Sequence, residues 1–456
     1  MPGSHAPSVV VVRDPVHGDI ELTREELRLV DTREFQRLRG VRQLGTAHLV
    51  YPGACHTRFD HSLGTVHTTD RLLDACNRHA DRDPVQCRRV TPDERRILRI
   101  AGLLHDVTHI PFGHNIEDQT GLLERHDEPH RFAAMLGDTE LGGALRGLGV
   151  HDEVLGVLTA GAIGAAVPPF WSQCVSDTID ADLMDYLRRD AYFTGLELQY
   201  DDRVCKYFRI DQASGRMFVD CAKEGMLRED IASELLRMLE IRFHFSERVY
   251  YHHAKIAAGA LLARMVELAL RSGSLAPAAL QSATDESLLL ALEQVDLGSE
   301  PATARLRRFV DAYRRRHLPK RVLVLPAYRN RGVQDELLST YFRPGQPEAR
   351  FRWEEEVEAE AKRRFGRDLD VILYCPARRM QLKEARTLVR FPGQSDLRPL
   401  EDFADQVPRL RDLRDSYPRM WRLYVFTTET DRDVRRELQA ICLAHLPAGC
   451  ENGLVL

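Results

Sequence analysis

Ala101-Gly-Leu-Leu-His105-Asp106-Val-Thr-His109-Ile-Pro-Phe-Gly-His114-Asn-Ile-Glu117 is the stretch on which the fold class turns. An apolar helical run through Ile97, Ile100, Leu103 and Leu104 ends in an adjacent His-Asp pair, and two more His and a Glu follow within the next eleven residues. Neighbours on a helix differ by only about 100° in direction, so His105 and Asp106 can face one metal ion. His114 and Glu117 are three apart and share a face if that piece is helical. Unpaired buried charges are costly. A core helix therefore does not gather five ionisable groups at its end, whereas functional sites do.

Outward from this stretch, Thr91-Pro92-Asp93-Glu94 opens its helix with a cap, a Pro in the first turn and a Glu three residues after the Thr. Residues 1–8 read as a loose tail. Val9 to Leu22 reads as strand, tight turn at His17-Gly18, strand. Thr23-Arg-Glu-Glu26 has capping-box spacing. A helix after Asp31-Thr32 carries Phe35, Leu38 and Val41 on one side and Gln36, Arg39 and Gln43 on the other. Phe59-Asp60-His61-Ser62-Leu63-Gly64 leads into a further helix with His61 near its start. Downstream, helices are expected over 127–137 and over 176–194, the latter stopped by Gly195. A hairpin is expected over 207–220 with Gly215 in its turn, then a long helix from about 226 to 271 interrupted only by Gly259.

Past Leu318-Pro319 the pattern changes. Strand-like runs Val322–Leu325, Val371–Tyr374, Thr387–Phe391 and Leu423–Phe426 alternate with helical stretches at 353–364 and 431–445. The expected architecture is mainly α: a helical core over 1–317, then a smaller α+β lobe over 318–456 with a regulatory or oligomerising role.

The net charge of −5 gives no sign of a constitutive nucleic-acid or membrane surface. The nine Cys are odd in number and form no Cys-x-x-Cys pair, so neither a disulfide framework nor a zinc ribbon is expected. A reducing, cytoplasmic compartment fits that usage. No apolar leader and no run of 18 apolar residues is seen, so no secretory signal or membrane span is expected.

One His-Asp pair cannot fill a metal site. The remaining ligands are sought in His61 and in Asp177-Thr-Ile-Asp180-Ala-Asp182-Leu-Met-Asp185, whose spacing does not choose among four carboxylates. Two His and two Asp make a mixed N/O site suited to Mn, Fe or Zn, with Mg also open, and leave positions for water and phosphate oxygens. Asp182, Tyr186 and Asp190 are spaced i, i+4, i+8 and form a stripe about 12 Å long on a helix.

The ordered set His61, His105-Asp106 and Asp182 resembles the pattern of the HD-domain phosphohydrolases. Phe-Gln-Arg-Leu-Arg39, Gln43-Leu-Gly, His109-x-Pro-Phe-x-His114 and Asp182-x-x-Asp-Tyr186-x-x-Arg-Asp190 narrow the likeness to the deoxynucleoside triphosphate triphosphohydrolase branch. His114-x-x-Glu117 is similar to the bacterial dGTPase form. The resemblance implies an HD-domain, phosphodiesterase-like helical core and a divalent metal held by His61, His105, Asp106 and Asp182. It implies His109, His114, Glu117 and His126 around the reacting phosphate, Arg58 on phosphate, Gln43 on sugar or base, and Tyr186 and Asp190 on the deoxyribose. The general acid is His126, or His114 with Glu117. Asp31, Gln36 and Arg39 resemble the segment with which the animal member of this branch binds an activating guanine nucleotide between subunits, which implies a homo-oligomer with weaker or differently selective activation. Three departures thin the positive charge: Leu183 stands where the animal member of the branch has a Lys, a phosphate-binding Arg falls near His244, and a Lys of the activating-nucleotide segment is replaced within Val9–Val12.

The expected activity is metal-dependent hydrolysis of deoxynucleoside triphosphates to deoxynucleoside and inorganic triphosphate. The alternatives are a phosphodiesterase or other nucleotide phosphohydrolase on the same scaffold, or a nucleotide-sensing protein.

Overall fold

A computed structural model describes residues 9–120, 123–343, 345–376, 383–394 and 396–456, with the side chains of 118–120 and 383–384 left out. The tail expected at 1–8 lies outside the described residues. The fold is mainly α, with short strands at its N-terminus, near residues 208–227 and in its C-terminal third.

The chain begins with an antiparallel hairpin, Val10–Asp14 paired with Gly18–Leu22. Gly18 takes a φ of +80°, the left-handed conformation that glycine adopts without steric cost. Three helices form the centre of the molecule: Arg58–Arg82, Pro92–Leu104 and Ala181–Thr194, the first packing on both others. The Thr91 hydroxyl accepts the Glu94 N–H at 3.2 Å, and the Glu94 carboxylate accepts the Thr91 N–H at 2.9 Å, as the spacing predicts. Gly195 ends the Ala181–Thr194 helix in the left-handed region. That helix starts at Ala181 rather than 176, because Asp180 caps it.

The long helix expected over 226–271 is broken, and not at Gly259. It runs Glu229–Phe245, loosens into a π turn over Ser246–Tyr250, and restarts as His253–Arg271 with the His252 side chain accepting the Ala254 N–H. No Gly or Pro marks this break. Gly259 lies inside the second helix for another reason: a Cβ there would sit 2.7 Å from Asn115 Nδ2 and 3.1 Å from the Tyr374 hydroxyl.

The strands expected past residue 318 are present. Lys320–Pro326, Arg422–Thr427 and Ile372–Tyr374 form an antiparallel sheet with Arg422–Thr427 in the middle. Leu388–Arg390 instead runs parallel to Met217–Asp220, in a sheet that also holds Phe208–Ile210 and Arg398–Pro399. Residues on the two sides of position 318 therefore share a sheet and a core. No described helix is long and apolar enough to cross a membrane.

Candidate metal and phosphate site

Helix starts and ends bring the site together. Thr57 and Asp60 form a capping box that puts Arg58 and His61 in the first turn of the Arg58–Arg82 helix. The Pro92–Leu104 helix ends at His105. Asp180 accepts the Leu183 N–H at 2.8 Å, which leaves Asp182 in the first turn of its helix.

His61 Nε2 lies 2.8 Å from Asp182 Oδ1, 3.1 Å from His105 Nε2 and 3.7 Å from Asp106 Oδ2. His105 Nε2 is 3.6 Å from an oxygen of Asp106 and 3.6 Å from one of Asp182. Ligands bound about 2.1 Å from one ion stand roughly 3.0 to 3.4 Å from each other, a range these separations bracket. The tautomers agree. A carbonyl can only accept, so His105 Nδ1 carries the proton it donates to Gly102 O at 2.8 Å and keeps a lone pair on Nε2. His61 Nδ1 donates to Asp185 Oδ2 at 2.7 Å. Two imidazole Nε2 atoms do not face each other at this distance without a proton or cation to share. The donor set therefore fits a divalent ion.

Burial alone would lower the His61 imidazole, but hydrogen bonds to Asp182 and Asp185 outweigh it and hold His61 up at about 10, so Nε2 carries a proton that a divalent ion would displace. Burial likewise pushes the Asp106 carboxyl up, while Arg58, His105 and His109 hold it well below the usual carboxylate range. Asp106 is thus an anion pressed against the Arg58 guanidinium.

The four carboxylates that spacing left unranked have different surroundings. Asp180 caps a helix. Asp182 faces the two His Nε2 atoms and keeps its side chain 33% exposed, so it borders solvent. Asp185 is fully buried behind His61. Asp177 approaches none of these atoms; its backbone N–H donates to Asp180 at 2.6 Å.

A second cluster lies beside the first. His109 Nε2 is 3.2 Å from Asp106 Oδ1. The ligand atoms of His109, His114 and His126 are within 4.8 Å of one another. The His109 and His126 rings stack at 3.5 Å and 20°, so their in-plane lone pairs run side by side instead of converging. That geometry suits proton and anion contacts rather than a second ion. Glu117 is buried and accepts from His126 Nδ1 at 3.0 Å, with Arg131 3.2 Å from its other oxygen. His126 is thus an imidazole held by a carboxylate, and His114 is the exposed member of the three. The loop between His109 and His114 is strained at Phe112, whose φ is +58°, and the next residue, Gly113, takes +44° without steric cost. Asp285 accepts the Phe112 N–H at 2.9 Å, and Arg37 donates to the carbonyls of Val107 and His109 at 2.9 and 2.8 Å. Such strain persists only where the surroundings over-determine it.

The residues expected to meet substrate divide. Gln43 Oε1 is buried with no hydrogen-bond partner among the described residues, as is Arg58 Nε. Tyr186 lies edge-on to His61, ring centroids 6.4 Å apart. Both carboxylate oxygens of Asp190 are engaged: His56 donates at 3.0 Å and the Tyr250 hydroxyl at 2.7 Å. Asp31, Gln36 and Arg39 lie at the surface. Gln36 donates to Val30 O at 2.9 Å and accepts from Arg39 Nε at 2.8 Å, and Arg39 lies over the Phe59 ring. They do not join the metal cluster. Sequence reasoning missed His17, His56, Arg131, Tyr250 and Asp285. Only His17 had a signal, its place in the turn Asp14-Pro-Val-His17-Gly18.

The sequence pattern of the HD domain matches residues 58–152, which hold His61, His105 and Asp106, and that of an HD-associated region matches 234–444. The chain carries an HD domain. It is 33% identical to the uncharacterised protein YwfO of Bacillus subtilis over 266 residues, 57% of this chain and 55% of that protein. It is 28% identical to an uncharacterised protein of Methanocaldococcus jannaschii over 261 residues, 56% and 49% of the two chains. It is 29% identical to the deoxynucleoside triphosphate triphosphohydrolase SAMHD1 of Danio rerio over 276 residues, 53% and 42%. The chain spans about half the length of the curated relatives it matches.

Proposed function

We propose that this chain is a metal-dependent phosphohydrolase that splits deoxynucleoside triphosphates into deoxynucleoside and inorganic triphosphate. In this proposal residues 1–317 form the catalytic core and 318–456 a regulatory or oligomerising lobe. One observation carries the proposal: the His61–His105–Asp106–Asp182 distance set lies beside the His126 imidazole held by Glu117. Similarity to a deoxynucleoside triphosphate triphosphohydrolase supports the substrate class.

His61, His105, Asp106 and Asp182 would hold a divalent ion, which would supply a nucleophilic water at neutral pH and neutralise charge on a phosphate oxygen. The side chains divide the remaining tasks. Attack at the α-phosphorus expels the 5′-oxygen, a poor leaving group that needs a proton. His126, oriented by Glu117 through Nδ1, presents Nε2 to supply it. The exposed His114 offers a ring N–H to phosphate oxygens, His109 stands beside it with Nε2 on Asp106, and Arg58 adds fixed positive charge. The orphan Gln43 Oε1 accepts from sugar or base. Tyr186 covers the deoxyribose, while Asp190 fixes Tyr250 and His56 behind it.

The test is one incubation of the protein with Mn²⁺ and a panel of dNTPs, NTPs and cyclic nucleotides in ¹⁸O-water, with products separated. Deoxynucleoside plus triphosphate carrying the label is expected. Pyrophosphate, single phosphate or cleavage of the cyclic compounds would move the chain to another branch.

Regulation by an activating nucleotide in a homo-oligomer belongs to the same proposal. Asp31, Gln36 and Arg39 are available at the surface once the Gln36–Arg39 bond opens. A separate cavity of about 440 Å³ favours an anionic effector, since His253, Arg316, Lys320, Arg321, Arg432 and Arg435 line it. Arg435 Nε there is buried without a hydrogen-bond partner among the described residues. Arg39→Ala should weaken activation by added nucleotide and leave metal content unchanged. A protein that stays monomeric by light scattering with GTP and dNTPs, with hyperbolic kinetics, would end the regulatory half.

A further inference from the structure

The N-terminal hairpin is wired to a metal ligand. Asp14 at its turn accepts the Val16 and His17 backbone N–H groups at 2.9 and 2.8 Å through one oxygen. Its other oxygen accepts Arg189 Nη1 at 2.8 Å. Arg189 donates to both oxygens of Asp185, at 2.8 and 3.0 Å. Asp185 also accepts His17 Nε2 at 2.6 Å and His61 Nδ1 at 2.7 Å. Four donors thus saturate one carboxylate. The Asp185 and Arg189 side chains are 0% exposed and that of His17 is 2%. His67 stacks on the His17 ring at 4.7 Å and fixes its plane from the other side. Gly64 is the space the pair needs: a Cβ there would fall inside contact distance of Asp185 Oδ1 and Arg189 Nη2.

A buried ion network of this size is a poor way to gain stability, because desolvation offsets most of its Coulomb energy. It does fix geometry. A metal-binding imidazole commonly donates its other N–H to a carboxylate, which sets its tautomer and aim. We propose that His17 and Asp185 are positioning residues of the metal centre, with Asp14 and Arg189 behind them: together they hold His61 so that Nε2 faces the ion. The hairpin is then part of the site and not a decoration on the core. This rests on the metal assignment of His61, His105, Asp106 and Asp182.

The test uses the full chain and Co²⁺ alone as probe, reading affinity by chelator competition and ligand geometry by the visible absorption bands. Asp185→Asn and His17→Ala should each weaken Co²⁺ binding about tenfold to a hundredfold and shift the bands. His17→Gln, whose amide can still donate to Asp185, should recover most of the affinity. Wild-type affinity and bands in folded Asp185→Asn and His17→Ala, with only a lower melting temperature, would overturn the proposal. If Asp185→Asn does not fold, the His17 pair decides alone. His105→Ala separates the two levels. Loss of Co²⁺ in His105→Ala with normal binding in the His17 and Asp185 variants refutes the positioning role only; normal binding in His105→Ala refutes the metal site and the proposal with it.

Discussion

Gly64→Ala is a substitution for which local and tertiary physics predict opposite signs. Gly64 lies in the second turn of the Arg58–Arg82 helix. Helix propensity alone makes Ala there better than Gly by about 1 kcal/mol. The added Cβ, however, would displace the Asp185 carboxylate and the Arg189 guanidinium. Neither can retreat to water, since both are fully buried. Disrupting a buried pair costs about 3 to 5 kcal/mol, so subtracting the propensity gain leaves a net loss of about 2 to 4 kcal/mol. Gly143→Ala, in the Glu140–Leu148 helix with no atom of the described residues beyond its own helix backbone within 4 Å of the new Cβ, is the control and should gain up to about 1 kcal/mol. Denaturant unfolding of both variants beside wild type reads the difference. A Gly64→Ala protein as stable as wild type, or more so, would refute the close packing of Asp185 and Arg189 against this helix.

His126→Gln should slow hydrolysis by about 10² to 10⁴ with metal content unchanged; loss of the metal instead would make His126 a ligand and not the proton donor. Burial, helped by His17 and Arg71, lowers His67 to about 4, against about 6.5 in the unfolded chain. His67 binds fewer protons folded than unfolded in that window. The stability it contributes is therefore present above pH about 6.5 and lost as pH falls toward 4. The melting temperature should drop across that interval in wild type and drop less in His67→Gln; identical slopes would count against the buried placing of this ring.

Local rules made some elements legible. The caps at Thr23 and Thr91 need only residues three apart, and each forms both of its bonds. The strand runs past Leu318 depend on β-branched and aromatic composition, again a local property. The break at 246–252 was not legible, because a π turn leaves no Gly or Pro and is fixed by what it touches: Tyr250 reaches back to Asp190. Asp182 and Asp185 could not be told apart for a similar reason. They lie three apart on one helix, and both bond His61, one at Nε2 and one at Nδ1. Which side of an imidazole a carboxylate takes is a fact of the packed structure. Arg131 and His17 stand 14 and 168 residues from the carboxylates they orient, with no periodicity to link them.

The central claim is that His61, His105, Asp106 and Asp182 hold the ion on which hydrolysis depends. The direct measurement is elemental analysis together with dNTP turnover for the double variant His105→Ala, Asp106→Ala, beside wild type loaded with the same metal. The account predicts a folded protein that has lost both its metal and its hydrolysis. A double variant that keeps the ion and turns over substrate at the wild-type rate would contradict it.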